Sequence, residues 1–111
     1  MDTPITILPI PEFFEGIGEV KGFTYARVFE DENYYIYEVN SENLTPHYEV
    51  IRRKAQPALI DFDTRTYSET EYKETYPRST RFGIDAWSLP TLERAREKIN
   101  TLYTDSKIKH R

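Results

Sequence analysis

Phe82-Gly83-Ile84-Asp85-Ala86-Trp87-Ser88-Leu89-Pro90-Thr91-Leu92-Glu93-Arg94-Ala95 carries the chain from a strand pattern into a helix pattern. Phe82, Ile84 and Ala86 alternate with Gly83, Asp85 and Trp87, the period of two of a strand with one buried face, and Trp87 falls on the other face. Ser88 is a favoured N-cap, Pro90 loses no hydrogen bond in a first helical turn, and Glu93 lies near the positive end of the helix dipole. The pattern predicts a helix over 89–104. Along it Leu92, Ala95, Ile99 and Leu102 recur at spacings of three and four, while Glu93, Arg94, Arg96, Glu97 and Lys98 fill the other side. A helix with one apolar stripe covers a sheet, so the fold class is read as α+β.

The sheet lies upstream. Residues 23–29, 34–39 and 47–53 read as three short strands, separated by an acidic turn at 30–33 and a longer loop at 40–46. Without helical spacers between them they pair antiparallel, as a meander. Leu59-Ile60-Asp61-Phe62 predicts a fourth strand and 82–87 the last. The polar run Ser68–Pro77 is expected to be a loop, or one helical turn capped by Ser68 with Glu71 in the capping-box position. The expectation is a mainly antiparallel sheet of four to five strands with the C-terminal helix across one face, in a single domain over 1–111. Within it, 1–12 is a proline-rich extended arm, 19–88 the sheet, 89–104 the helix and 105–111 a basic tail. Pro4, Pro9 and Pro11 around Ile5-Thr6-Ile7-Leu8 allow an arm or edge strand and exclude a helix. Such an arm packs on its own domain or is donated to a neighbour by strand addition.

Composition limits the function classes. A chain of 111 residues is one domain, and its zero cysteines remove disulfides, cysteine-ligated zinc and thiol catalysis together. With no bridges, no basic leader and no long apolar run, the expected setting is cytoplasmic, with no membrane partner. The net charge of −4, from 15 Lys+Arg and 19 Asp+Glu, disfavours general attraction to nucleic acid. Nine tyrosines are many for so polar a chain, and tyrosine belongs to half-buried sheets and binding surfaces.

No motif with catalytic, metal or cofactor chemistry stands out. Asp61, Asp63, Glu71 and Lys73 superficially resemble the carboxylates and lysine of a metal-dependent nuclease, but that arrangement needs the Glu-x-Lys unit on an apolar core strand. Here it lies in a polar stretch and reads as a solvated acidic loop. His47 and Glu49 share a strand face, yet no serine, cysteine or second histidine stands in a usable relation to them. Arg52-Arg53-Lys54 is the one compact basic run, which Arg65, Arg78 and Arg81 could join if the strands align. With Tyr35, Tyr37 and Trp87 it could form a stacking and phosphate-binding face for single-stranded nucleic acid; alternatively it is a charged solvent face balanced by Glu38 and Glu49 across the strands.

The segments 15–23, His47-Tyr48-Glu49-Val50 and Phe82–Trp87 leading into Leu92–Ala95 resemble short uncharacterised proteins of Bacteroides-type gut bacteria and their phages or mobile elements. That resemblance implies a genomic context and no activity. The strand-to-helix finish is also similar to WGR domains that bind DNA ends, but the Trp-Gly-Arg triplet is missing, so no residue role carries over. The function expected is therefore a small non-enzymatic protein-interaction module, without cofactor or metal. The tyrosine face opposite the helix is expected to be uncovered, and Tyr35, Tyr37, Trp87, Arg52 and Arg53 are its candidate partner-binding residues, since Tyr, Trp and Arg dominate binding hot spots. The partner is expected to be a protein or a second copy. A structural subunit docking through its N-terminal arm, or a single-stranded nucleic-acid-binding module, are the alternatives.

Overall fold

A computed structural model describes residues 4–109. The elements run β1 (Thr6–Leu8), β2 (Phe13–Glu15), β3 (Phe23–Glu30), β4 (Tyr34–Ser41), β5 (Leu44–Arg52), β6 (Ala55–Asp61), β7 (Thr66–Glu74), β8 (Ala86–Leu89) and α1 (Leu92–Lys109), with 3-10 turns at Gly18–Val20 and Ser79–Arg81. The class is α+β, as the sequence predicts. A five-stranded antiparallel sheet in the order β2-β3-β4-β5-β8 carries α1 on one face.

β4 is central because both of its faces are apolar. Tyr34 and Ile36 join Val50, Ala95 and Ile99 beneath α1, with Leu92, Leu102 and Trp87 packed at the edge of that cluster. The predicted helical stripe is the one that docks. On the opposite face Tyr35, Tyr37 and Val39 pack with Tyr25, Ile51, Ala86 and Ile10. A bulge at Val28 decides which side Phe29 serves. Phe23, Tyr25 and Arg27 pair with Ser41, Val39 and Tyr37, but past the bulge Phe29 pairs with Ile36, so it lies on the helix face.

Four sequence expectations are corrected. The helix begins at Leu92, not at 89 or 90, because β8 continues through Leu89 in pairing with Tyr48. Its cap is Thr91, not Ser88: Thr91 Oγ1 accepts from the Arg94 N–H at 3.1 Å and its carbonyl from the Ala95 N–H at 3.0 Å. The helix also runs on to Lys109, so the basic tail is helical over 105–109, while His110 and Arg111 lie outside the described residues. The loop at 40–46 contracts to a hairpin that brings Ser41 opposite Leu44.

The largest correction concerns 66–74. This run is neither loop nor helical turn but strand β7, the middle of a second, three-stranded sheet in the order β1-β7-β6. β6 pairs with it antiparallel and the arm strand β1 in parallel, with Ile7 opposite Tyr72, so the arm packs on its own chain. Ser68 Oγ accepts the N–H groups of Thr70 and Glu71 at 3.1 and 2.8 Å, which is the local turn the capping-box pattern announced, realised as an irregularity within a strand. No helix among the described residues is long and apolar enough to cross a membrane.

Candidate functional site

The tyrosine face is not uncovered. Tyr35 and Tyr37 are 0% exposed, because the arm, the end of β7 and the connection after it fold over them. As partner-contacting residues they are therefore displaced: their rings pack inward, and their hydroxyls are held by acceptors of the chain's own covering layer. The Tyr35 O–H donates to Glu74 at 2.6 Å, and the Tyr37 O–H donates to the Pro11 carbonyl at 2.8 Å.

Glu74 is the hub of this layer. It is 5% exposed and also accepts from Arg53 Nε at 3.0 Å and from the Ile10 N–H at 3.3 Å. Burial by itself would raise its pKa. The hydrogen bonds from Tyr35 and Arg53, with the Arg53 charge, outweigh that and hold the carboxyl below its ordinary value. A second buried carboxylate, Glu49, accepts from Tyr76 O–H at 2.5 Å and lies 3.2 Å from His47 Nε2, so the same-face pair predicted from the sequence does form. Burial, with Glu49 as acceptor of its proton, pushes the Tyr76 hydroxyl up. Phe14 stacks on Tyr25 at 4.6 Å between centroids, and Tyr76 meets Tyr25 edge-on. These groups build a cross-linked polar core that joins the two sheets.

Strand alternation separates the neighbours Arg52 and Arg53. Arg53 turns to the tyrosine face, lies 4.5 Å from the Tyr35 ring centre, and pairs with Glu74 and Glu30. It is a structural cation here, corrected from its place on the basic edge. Arg52 turns to the helix side, over the rings of Tyr34 and Trp87 at 5.9 and 5.7 Å. Trp87 is half-buried, with Lys98 Nζ 5.1 Å from its ring, so cations occupy the surface it could offer a stacked base. The acids that balance the basic run are Glu74, Glu30 and Asp85; Glu38 instead accepts from Tyr48 O–H, and Glu49 from Tyr76.

Arg78 and Arg81 do join Arg52 and Lys54, around a cleft of about 680 Å³ also lined by Gln56, Thr75, Tyr76 and Asp85. Gly83, at φ +93, makes the left-handed turn that returns the chain from Arg81 to β8 and sets Asp85 on this cleft. Arg65 does not line it; it occupies the β6–β7 turn at φ +52. The residues of the nuclease-like pattern form no metal-holding group: Asp61 accepts from the Asp63 N–H in that turn, and Glu71 and Lys73 are exposed on β7. Among the described residues no group of three or more His, Asp or Glu side chains could hold a metal ion.

The largest apolar exposure lies elsewhere. Ile5, Ile7 and Leu8 of the arm and Leu59, Ile60, Phe62 and Tyr67 of the β6–β7 hairpin are all exposed, Ile60 at 67% and Phe62 at 73%. Register places Ile7, Tyr72 and Pro57 on one face of the small sheet and Leu8, Lys73 and Gln56 on the other, so its apolar residues open to both sides. The sequence offers the arm residues as a docking segment, but marks none of these β6–β7 residues as a site. The signal was present in Leu59-Ile60-Asp61-Phe62, a run with too little polar alternation for a strand with a solvent face. No protein-family model, curated protein or solved structure matches the chain.

Proposed function

We propose that the protein is an interaction module that self-associates through its three-stranded sheet, the occupant of the exposed apolar surface being a second copy of the chain. The carrying observation is the collection of seven exposed apolar side chains on one small sheet that has no core of its own. With each about half exposed or more, they present on the order of 800 Å² in all, spread over both faces of the sheet, so that one face and the β6 edge supply part of one partner's share of a standard protein interface. The radius of gyration, 15.9 Å, exceeds the roughly 13 Å of a compact domain of this length, as expected of a projecting element that is completed by another body.

A two-fold pairing suits the geometry. β6 is an edge of its sheet, and antiparallel alignment with its symmetry mate about Ile60 would set Ile60 against Ile60 and Phe62 against Ala58 of the mate on one face, with Leu59 against Asp61 on the other and Pro57 limiting the pairing. Light scattering of the full chain is expected to give twice the 13.2 kDa chain mass at micromolar concentration, and Ile60→Asp is expected to give the single-chain mass with unchanged circular dichroism. A wild-type chain that stays at 13.2 kDa throughout that range contradicts the proposal, and binding of an unrelated protein by that monomer would assign the surface to a different occupant.

A further inference from the structure

We propose that the cleft between the end of β5, the start of β6 and the 3-10 turn at Ser79–Arg81 is a binding site for a small molecule bearing a phosphoryl dianion. Four cationic side chains, Arg52, Lys54, Arg78 and Arg81, line it, against the one carboxylate of Asp85. Asp85 accepts from Arg81 Nε at 2.7 Å and lies 2.5 Å from Arg81 Nη2, 3.6 Å from Lys54 Nζ and 3.9 Å from Arg52 Nε. Arg78 makes no ion pair among the described residues. The cleft thus holds three positive charges beyond its one negative charge, on a chain whose net charge is −4.

The ligand class follows from charge, shape and size. Like charges gathered on an otherwise acidic protein repel one another, and an anion that enters relieves that repulsion. A monocarboxylate would answer one of the three unmatched charges. A phosphoryl dianion answers two, and its tetrahedral oxygens can accept from the planar forks of Arg52 and Arg81 and from the point charge of Lys54 together. Gln56 and Thr75 supply neutral donors at the wall. The volume, about 680 Å³, is that of a small-molecule site. A nucleic-acid strand fits less well, since the one aromatic lining the cleft, Tyr76, is committed to the core through Glu49 and Tyr25. Asp85 orients Arg81 and competes with the ligand for it.

The site is tested with pyrophosphate as probe, titrated into the full chain at low ionic strength by calorimetry. Saturable binding at one site is expected. Arg78→Ala breaks no ion pair, so it should weaken binding about tenfold with an unchanged thermal midpoint. Lys54→Ala should weaken binding similarly, whereas Asp85→Asn should strengthen it severalfold by freeing Arg81 and Lys54. Absence of saturable binding to the wild type, or equal affinities for wild type, Arg78→Ala and Lys54→Ala, would overturn the assignment. An oligoglutamate peptide that binds as tightly as pyrophosphate would overturn the choice of a phosphoryl ligand.

Discussion

Glu74→Ala is expected to lower the unfolding free energy by about 3 kcal/mol, the near end of the 3–5 kcal/mol range for breaking a buried charge pair. The substitution removes the shared acceptor of Tyr35 O–H, Arg53 Nε and the Ile10 N–H at once, in a place that water does not reach. The near end applies because Arg53 keeps two acceptors, the Asp31 carbonyl at 2.8 Å and Glu30 at 3.5 Å. Tyr35 and the Ile10 amide keep none of equal quality, and the arm loses one contact with β7 while the β1–β7 pairing stays. Since a whole domain is stable by only about 5–15 kcal/mol, the loss should appear plainly as a lower urea midpoint at neutral pH. Glu74→Gln retains an oxygen for Tyr35 but turns an NH₂ group toward a cation, so it should recover only part of the loss.

Glu74 also sets an acid limb. Its folded pKa is held below the ordinary 4.5, so its stabilisation is complete above that value and is lost as pH falls through the folded pKa. The Glu74 variants should lack that component. A change below about 1 kcal/mol on Glu74→Ala would mean that the carboxylate is peripheral to the fold.

At the other end of the pH scale the tyrosine core is expected to unfold the protein steeply. Burial raises the hydroxyl pKa values of Tyr25, Tyr35 and Tyr37 above the ordinary 10.0; Glu74 adds to the rise at Tyr35, while hydrogen bonds from Arg27 offset part of it at Tyr37. The stabilisation from a raised pKa is complete below pH 10 and is lost as pH climbs toward the folded values, because there the unfolded chain has released protons that the native one still binds. Each such group contributes up to about 1.36 kcal/mol per pH unit while the pH lies between 10 and its folded value, so their losses add and the curve steepens above pH 10. The tyrosinate absorbance of the buried rings and circular dichroism should change together in one transition. Titration of all nine tyrosines ahead of any loss of secondary structure would show those rings to be accessible, against their burial.

The contrast between what could be read from the chain and what could not has a simple cause. Leu92, Ala95, Ile99 and Leu102 repeat at the helix period and dock as that period requires, and the meander of β3, β4 and β5 follows from three runs without spacers. β4 is apolar on both sides, and alternation alone could not tell which side would meet solvent. Neither did: the cover for Tyr35 comes from Ile10 and Glu74, residues far away in the chain. Thr66–Glu74 hid its strand because its side chains are polar and its Ser68 turn imitates a helix cap. The separation of Arg52 from Arg53 was legible, since adjacent residues in a strand face opposite ways. The gathering of Arg78 and Arg81 beside Arg52 and Lys54 depended on Gly83 and on the pairing of β8 with β5, which no local pattern specifies.

Self-association through the small sheet is tested most directly by hydrogen exchange of the backbone at two protein concentrations. If β6 is completed by its mate, amides of 55–62 should be protected in concentrated solution and exchange much faster on dilution below the dissociation constant, while β4 and β5 stay protected in both. Exchange over 55–62 that is equally fast at both concentrations would leave that edge open to water and contradict the account.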